Sequence, residues 1–247
     1  MWVFLKIISP FRYFWFFFFC LVSIPFFPLR VTASEPETRQ ISNEYTKRRK
    51  AMVEDLAVKG IQDSQVLKAL STVPREVFLR PGLRFRAYMD EETKAEKSLF
   101  LSRPLDWARV LGSLGIPPEG RVLVIDPGVG YGGALVSQLA QESYVVITRS
   151  ALFGMIERIY EKLIYGNLSV KAGSLQDGWP ESAPFDRIWI PAVVNDSLPP
   201  SLFEQLVDGG YLVVGEGREF QNCVRYTKTP KGNQREVLGS CHFPSLS

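Results

Sequence analysis

Strand-like and helix-like segments alternate along the second half of the chain. Short apolar runs rich in β-branched residues predict buried strands, at residues 121–126, 144–149, 168–174, 185–192 and 211–217. Segments with apolar residues at helical spacing lie between them, at residues 132–140, 152–164 and 200–209. This alternation is typical of an α/β fold with a doubly wound, mainly parallel sheet that helices cover on both faces.

Two further strand-like segments follow and flank a turn-like stretch, Pro230-Lys231-Gly232-Asn233. The short connection predicts an antiparallel β-hairpin at the edge of the sheet. Cys223 and Cys241 lie at equal sequence distances from Gly232, so a hairpin centred there would place them opposite each other. A cross-strand disulfide and two buried free thiols are both open interpretations.

Helices are also predicted ahead of the sheet. Apolar residues recur at helical spacing over 52–57, and Asp63 is placed to cap a second helix that Pro74 ends. Pro104 suits the first position of a third helix. The charged stretch between the second and third helices, residues 80–99, is predicted to be a loop.

These segments suggest a domain organisation. Residues 34–50 are polar and are expected to be a linker, and the globular domain is expected to cover residues 51–247. Within it, residues 51–104 form a helical and loop part, and residues 121–247 form the α/β core. The basic run at 47–50 is interpreted as the solvated start of a helix rather than a nucleic-acid patch.

The N-terminal segment, residues 1–33, has a different composition from the rest. Lys6 and Arg12 precede an apolar and aromatic run at 13–29, and small residues lead to Ala33. This pattern predicts a secretory signal peptide or an uncleaved membrane anchor, and hence an exported or anchored protein. A cytoplasmic location would follow if the segment is not a true start. Its three basic residues equal the net charge of +3, so the remainder is formally neutral and offers no argument for nucleic-acid binding.

Several stretches together resemble the protein-L-isoaspartate O-methyltransferases, over most of residues 52–247. They are KGIQDSQVLKALSTVPREVF, LSRP, RVLVIDPGVGY, DGWPESAPFD, LPPSLFEQLVDGGYLVV and LGSCHFPSL. The first is the most specific. The resemblance implies a seven-stranded, Rossmann-like methyltransferase sheet ending in a β-hairpin, with an N-terminal helical extension. It also implies esterification of L-isoaspartyl residues in damaged proteins, with S-adenosylmethionine as the methyl donor.

The resemblance carries three site residues to this sequence. Ser102, in LSRP, matches the family's active-site serine. Gly128 and Gly130 match two glycines of the family's cofactor loop. Pro127 stands between them and the preceding strand, and it has no backbone N–H to donate.

The sequence also departs from the family pattern around the cofactor. Asp126 replaces the first loop glycine, and Val124 replaces the acid two positions earlier. Arg149 stands where the family has an acid for the ribose hydroxyls, and Ser174 replaces an adenine-binding aspartate. Residues 94–99 contain no glycine where the family's substrate loop has several. Asp126 is expected either to turn toward the cofactor or to act as a solvated loop or helix-capping residue.

Two functional hypotheses follow. The first is an isoaspartyl carboxyl methyltransferase with an altered cofactor site, acting on damaged proteins or peptides. The second is an exported, non-catalytic relative that uses the old cleft as a binding module. His242 is the only histidine and is expected to be a strand residue packed beside Phe243, and the two cysteines do not form CxxC, so no zinc site is predicted. The sequence does not indicate an oligomeric state.

Overall fold

The computed structural model describes residues 35–96, 99–218 and 220–246. The signal peptide or anchor predicted at residues 1–33 lies outside the described residues, and so does residue 34. Across the described part of the chain, no helix combines the length and the apolar character needed to span a bilayer.

A seven-stranded sheet forms the centre of the fold, in the order β5-β4-β3-β6-β7-β8-β9. Its strands are β3 Arg121–Asp126, β4 Glu142–Ile147, β5 Leu168–Ala172, β6 Phe185–Val193, β7 Leu206–Glu216, β8 Asn222–Thr229 and β9 Gly232–Ser240. The strands from β5 to β7 are parallel to their neighbours, and β8 and β9 are antiparallel. The predicted doubly wound sheet with its terminal hairpin is confirmed.

Helices cover both faces of this sheet, and apolar clusters fill the space on each side. The helices are α1 Glu35–Val58, α2 Ser64–Thr72, α3 Pro104–Ser113, α4 Tyr131–Val136, α5 Ser150–Leu163 and α6 Pro200–Glu204. Asp63 caps α2 as expected, because its Oδ1 accepts from the backbone N–H groups of Gln65 and Val66 at 2.9 and 3.1 Å. Pro104 begins α3, also as expected.

Residues 34–50 differ from the expected linker, because the chain is helical from Glu35 onward. Arg48 pairs with Glu44 one turn earlier and donates to the Phe85 carbonyl at 3.2 Å. Arg49 donates to the Tyr88 hydroxyl at 3.3 Å. The basic run therefore attaches the second half of α1 to the region around Phe85 and Tyr88. Composition alone does not reveal such contacts between distant residues. The limits of the domain stay a prediction.

The helix predicted over residues 200–209 is also shorter than expected. It ends at Glu204, and β7 begins at Leu206. The reason is pairing: Phe185 donates its backbone N–H to the Gln205 carbonyl at 2.8 Å, and Lys228 donates to the Leu206 carbonyl at 2.7 Å. Pairing with β6 on one side and the Lys228 side chain on the other therefore hold the backbone that the apolar spacing assigned to a helix.

The terminal hairpin turns between Pro230 and Lys231, one to two residues earlier than the symmetry of the cysteines about Gly232 suggested. Thr229 pairs with Gly232, and a bulge next to Cys223 shifts the register so that Cys223 faces Gly239. The two cysteines are therefore not directly opposite. Both are buried free thiols. A disulfide between them stays a prediction.

A small second sheet precedes α3. It consists of β1 Thr93–Glu96 and β2 Leu99–Leu101, paired antiparallel, within the stretch expected to be a loop. Phe100 of this sheet stacks on His242, with ring centroids 5.4 Å apart. His242 also meets the Glu92 carboxylate at 2.9 Å. The single histidine thus connects the C-terminal segment to the β1–β2 sheet, and it lies outside any strand, so the expectation that it is a strand residue is wrong.

Candidate cofactor cleft and active-site segment

A cleft of about 480 Å³ opens at the carboxyl ends of the central strands. The strand order reverses at β3. The chain continues from β3 to β4 and β5 on one side, and then returns to place β6 on the other side of β3. Loops after these strands line the cleft, including Pro127, Arg149, Ser174 and Asn195, and Leu246 closes it from the C-terminal segment. Open α/β sheets bind ligands at this kind of switch point, and the volume is that of a small-molecule site.

The glycine-rich turn after β3 is built for close packing against α5. Gly130 has φ of +89° and caps α4. A Cβ there would lie 2.6 Å from Cγ2 of Ile156. The Tyr160 hydroxyl donates to the Gly130 carbonyl at 2.5 Å. The protein's own helix therefore requires glycine at this position, whether or not a ligand binds.

Asp126 turns away from the cleft and into this turn. Its side chain is 2% exposed, and its Oδ1 accepts the Gly128 N–H at 2.6 Å. Its Oδ2 is buried without a partner among the described residues. Burial raises the pKa of the Asp126 carboxyl to about 6, although backbone N–H groups of Gly128, Gly130 and Gly132 oppose the rise. The expectation of a solvated residue is wrong, and the side chain bonds the turn's amide as a capping residue does.

The basic residue Arg149 follows β4, at the position where the resemblance implied an acidic residue. Thr148 donates its backbone N–H to the Asp126 carbonyl at 3.2 Å, and the Arg149 carbonyl accepts the Leu152 N–H at 2.9 Å. These bonds fix Arg149 between the glycine turn and α5, at the edge of the cleft. Ser174, across the cleft, donates to the Asp177 carboxylate at 2.7 Å. Among the described residues, Asp196 is the acidic side chain of the lining.

Ser102 lies outside the cleft lining and is completely buried, with 0% exposure. Its Oγ has no hydrogen-bond partner among the described residues. Its carbonyl accepts from the Arg75 guanidinium and from the Trp107 indole N–H, the latter at 3.1 Å. The main chain at Ser102 is therefore held tightly, while its hydroxyl is left unsatisfied.

Arg75 is the residue of this region that the sequence analysis did not assign. It lies in the VPREVF stretch, and its guanidinium donates to the carbonyls of Ala87 and Ser102. The same group lies over the Tyr131 ring, 5.1 Å from its centroid. Burial lowers the pKa of Arg75. Arg75 thus connects the Ser102 segment to Tyr131, the first residue of α4, directly after the glycine turn. In the sequence, the feature that could have indicated this role is a basic residue inside the most specific motif.

A family profile described as "Protein-L-isoaspartate(D-aspartate) O-methyltransferase (PCMT)" matches residues 47–246. The chain belongs to this family. It is 35% identical over 204 residues to protein-L-isoaspartate O-methyltransferase 2 of Anaeromyxobacter sp., covering 82% of this chain and 84% of that one. A Desulfosudis oleivorans protein-L-isoaspartate O-methyltransferase is 34% identical over 204 residues, with 82% and 92% covered.

Solved structures of the family share the fold. One protein-L-isoaspartate O-methyltransferase superposes with a TM-score of 0.71 at 24% identity, covering 81% of this chain and 66% of that longer one. A Plasmodium falciparum structure described as a putative family member, in complex with S-adenosyl-L-homocysteine, gives 0.67 at 19% identity, with 81% and 98% covered. The isoaspartate methyltransferase fold therefore extends over the helices, the central sheet and the terminal hairpin.

Proposed function

We propose that this chain is an S-adenosylmethionine-dependent methyltransferase that esterifies the carboxylate of L-isoaspartyl residues in damaged proteins or peptides. The cleft at the switch point of a family-type sheet carries this proposal. Its size and position suit an adenosine-containing cofactor, and Pro127, directly before Gly128, lines it, whereas Gly128 and Gly130 themselves lie outside the lining. The relatives reported above are all named as isoaspartate methyltransferases, and no comparison favours a non-catalytic binding module.

The lining fits the nucleoside part of the cofactor. When bound, S-adenosylmethionine supplies an activated methyl group on a positively charged sulfur. Ribose hydroxyls accept as well as donate hydrogen bonds, so the Arg149 guanidinium can meet them where the family has an acid. Asp196 offers the cleft a negative charge toward the cationic end. Gly128 is part-exposed beside the turn, and we assign it and Gly130 to the border of the cofactor site.

The chain's own contribution to the chemistry is positioning. An isoaspartyl carboxylate is already ionised near neutral pH and is itself the nucleophile, so holding it in line and excluding water does most of the work. We assign Ser102 to hold it, because a buried hydroxyl without a partner is stabilised by a carboxylate acceptor. Since Ser102 is 0% exposed, this contact requires a local rearrangement around it.

The proposal is tested by calorimetric titration with S-adenosylmethionine, followed by methyl transfer to an isoaspartyl peptide. We expect micromolar binding and turnover that Ser102→Ala abolishes. Ser71→Ala, an exposed serine of α2, is the matched control and should leave turnover unchanged. Absence of binding at millimolar cofactor would refute the assignment of the cleft.

Residues 1–33 support a second, separate proposal: export of the protein, or its anchoring to a membrane. Lys6 and Arg12 before the apolar run are the supporting observation. A reporter fused at residue 40 should be active only outside the cytosol, and intact mass should show whether the segment is removed. A reporter active only in the cytosol would contradict the proposal.

A further inference from the structure

Four buried polar atoms without hydrogen-bond partners belong to residues in the region of Ser102. They are Nη1 of Arg75, Oγ1 of Thr93, Oγ of Ser102 and the hydroxyl of Tyr131. None of the four has a partner among the described residues, and all four residues are at most 1% exposed. Buried polar groups are normally paired, and each one left unpaired destabilises the folded state. All four groups carry hydrogens to donate, so an acceptor that reaches them is bound strongly.

Contacts with Arg75 bring these residues together. Its Nη2 donates to the Ser102 carbonyl and, at 3.4 Å, to the Leu101 carbonyl. Its guanidinium lies over the Tyr131 ring, 5.1 Å from the ring centroid. Thr93 pairs with Leu101 across the β1–β2 sheet. The unpartnered atoms therefore belong to residues that surround a single guanidinium group.

Arg75 is also a buried cation without a counter-ion among the described residues. Its guanidinium donates to neutral carbonyl oxygens and forms no ion pair with them or with a described carboxylate. The adjacent Glu76 accepts from the Tyr88 hydroxyl, and Asp90 pairs with Lys59 at 2.7 Å. An arginine keeps its charge in proteins, and burying an unpaired charge is costly. The acceptor that suits this cluster best is therefore a carboxylate, whose two oxygens match guanidinium and hydroxyl donors.

We propose that the Arg75 guanidinium and the Tyr131 hydroxyl bind the carboxylate of the isoaspartyl residue, together with Ser102. Tyr131 directly follows Gly130, so the bound carboxylate lies next to the glycine turn that precedes α4. The cluster is as deeply buried as Ser102, so binding requires the same local rearrangement. This inference rests on the proposed function for the identity of the substrate, and on the unpartnered donors for the site.

The first test uses acetate as a small carboxylate probe and needs no methyl transfer. Urea unfolding of the full-length protein in sodium acetate is compared with unfolding in sodium chloride of equal ionic strength. A ligand that binds the folded state alone stabilises it, so acetate should raise the unfolding midpoint of the wild type. Tyr131→Phe should remove most of that rise. Tyr45→Phe, which removes the hydroxyl of a half-buried tyrosine in α1, should retain it.

The second test measures the KM for an isoaspartyl peptide and the affinity for S-adenosylhomocysteine. Tyr131→Phe should raise the peptide KM at least about tenfold, the loss of one charge-assisted hydrogen bond, and should change the S-adenosylhomocysteine affinity by less than about twofold. Without acetate, its urea midpoint should not fall, because the hydroxyl that is removed has no partner among the described residues. A hydroxyl with a purely structural role would give the opposite result, a lower midpoint and an unchanged KM.

An unchanged peptide KM in Tyr131→Phe overturns the inference. So does an acetate effect that is absent from the wild type or is equally large in Tyr131→Phe. Circular dichroism of each variant confirms that it is folded. If acetate stabilises the wild type through Tyr131 but the peptide is not methylated, that failure bears on the proposed function and leaves the carboxylate site standing.

Discussion

Asp126 makes the stability of this fold depend on pH, in an unusual direction for an acid. In the folded state the Asp126 carboxyl has a pKa of about 6, because burial disfavours its ionised form. The ordinary pKa of an aspartate side chain is 3.8. The folded state therefore binds the proton more tightly than the unfolded state does. The resulting stabilisation is fully present below pH 3.8 and is lost as the pH rises through 6.

The size of this effect follows from the shift. A difference of about 2.2 pKa units corresponds to about 3 kcal/mol in the free energy of unfolding at about 1.36 kcal/mol per unit. Most of it is lost between about pH 4 and pH 8. Asp126→Asn removes the titration, while its side-chain oxygen can still accept the Gly128 N–H.

The assay is urea unfolding of the wild type and of Asp126→Asn at several pH values. The quantity followed is how the difference between their unfolding free energies changes with pH. Any constant cost of the amide cancels in that change. We expect this difference to move by about 2–3 kcal/mol in favour of the variant from about pH 4 to pH 8. Asp208→Asn, an exposed carboxylate of β7, is the control. A difference that stays constant with pH would refute the buried, proton-binding role of Asp126.

Further predictions concern packing and the cysteines. Gly130→Ala should lower the free energy of unfolding, measured in urea, by about 1–3 kcal/mol, because Gly130 has a φ of +89° and a Cβ there would contact α5. Gly82→Ala is the control and should have little effect, because the space around Gly82 is open. Arg75→Met should cost about 2–3 kcal/mol, since buried carbonyls lose a charged donor; an unchanged midpoint would contradict this. A disulfide between Cys223 and Cys241 should make the oxidised protein about 2 Da lighter by intact mass and about 3 kcal/mol more stable, and Cys241→Ser should abolish both effects.

Local signals in the sequence predicted much of the fold correctly. The apolar runs located the strands, Asp63 and Pro104 marked helix starts, and the turn near Gly232 marked the hairpin. Each of these signals acts over a few residues, through backbone geometry or through a side chain bonding its neighbours. The VPREVF and LSRP stretches then pointed to the family.

Tertiary contacts decided what the sequence could not show. The end of α6 depends on strand pairing with β6 and on a side-chain bond from Lys228, and the attachment of the second half of α1 depends on a bond from Arg48 to a residue 37 positions away. The orientation of Asp126 and the burial of Ser102 are likewise set by packing around them. Such contacts join residues far apart in the chain, so residue type and spacing leave them open.

The most direct test of the account is mass spectrometry of a peptide incubated with the purified full-length protein and S-adenosylmethionine. The peptide is made in two forms, with L-isoaspartate or with ordinary L-aspartate at one position. The account predicts one added methyl ester on the isoaspartyl form and none on the aspartyl form. An unmodified isoaspartyl peptide, from folded protein with cofactor present in excess, would contradict the proposed methyltransferase activity.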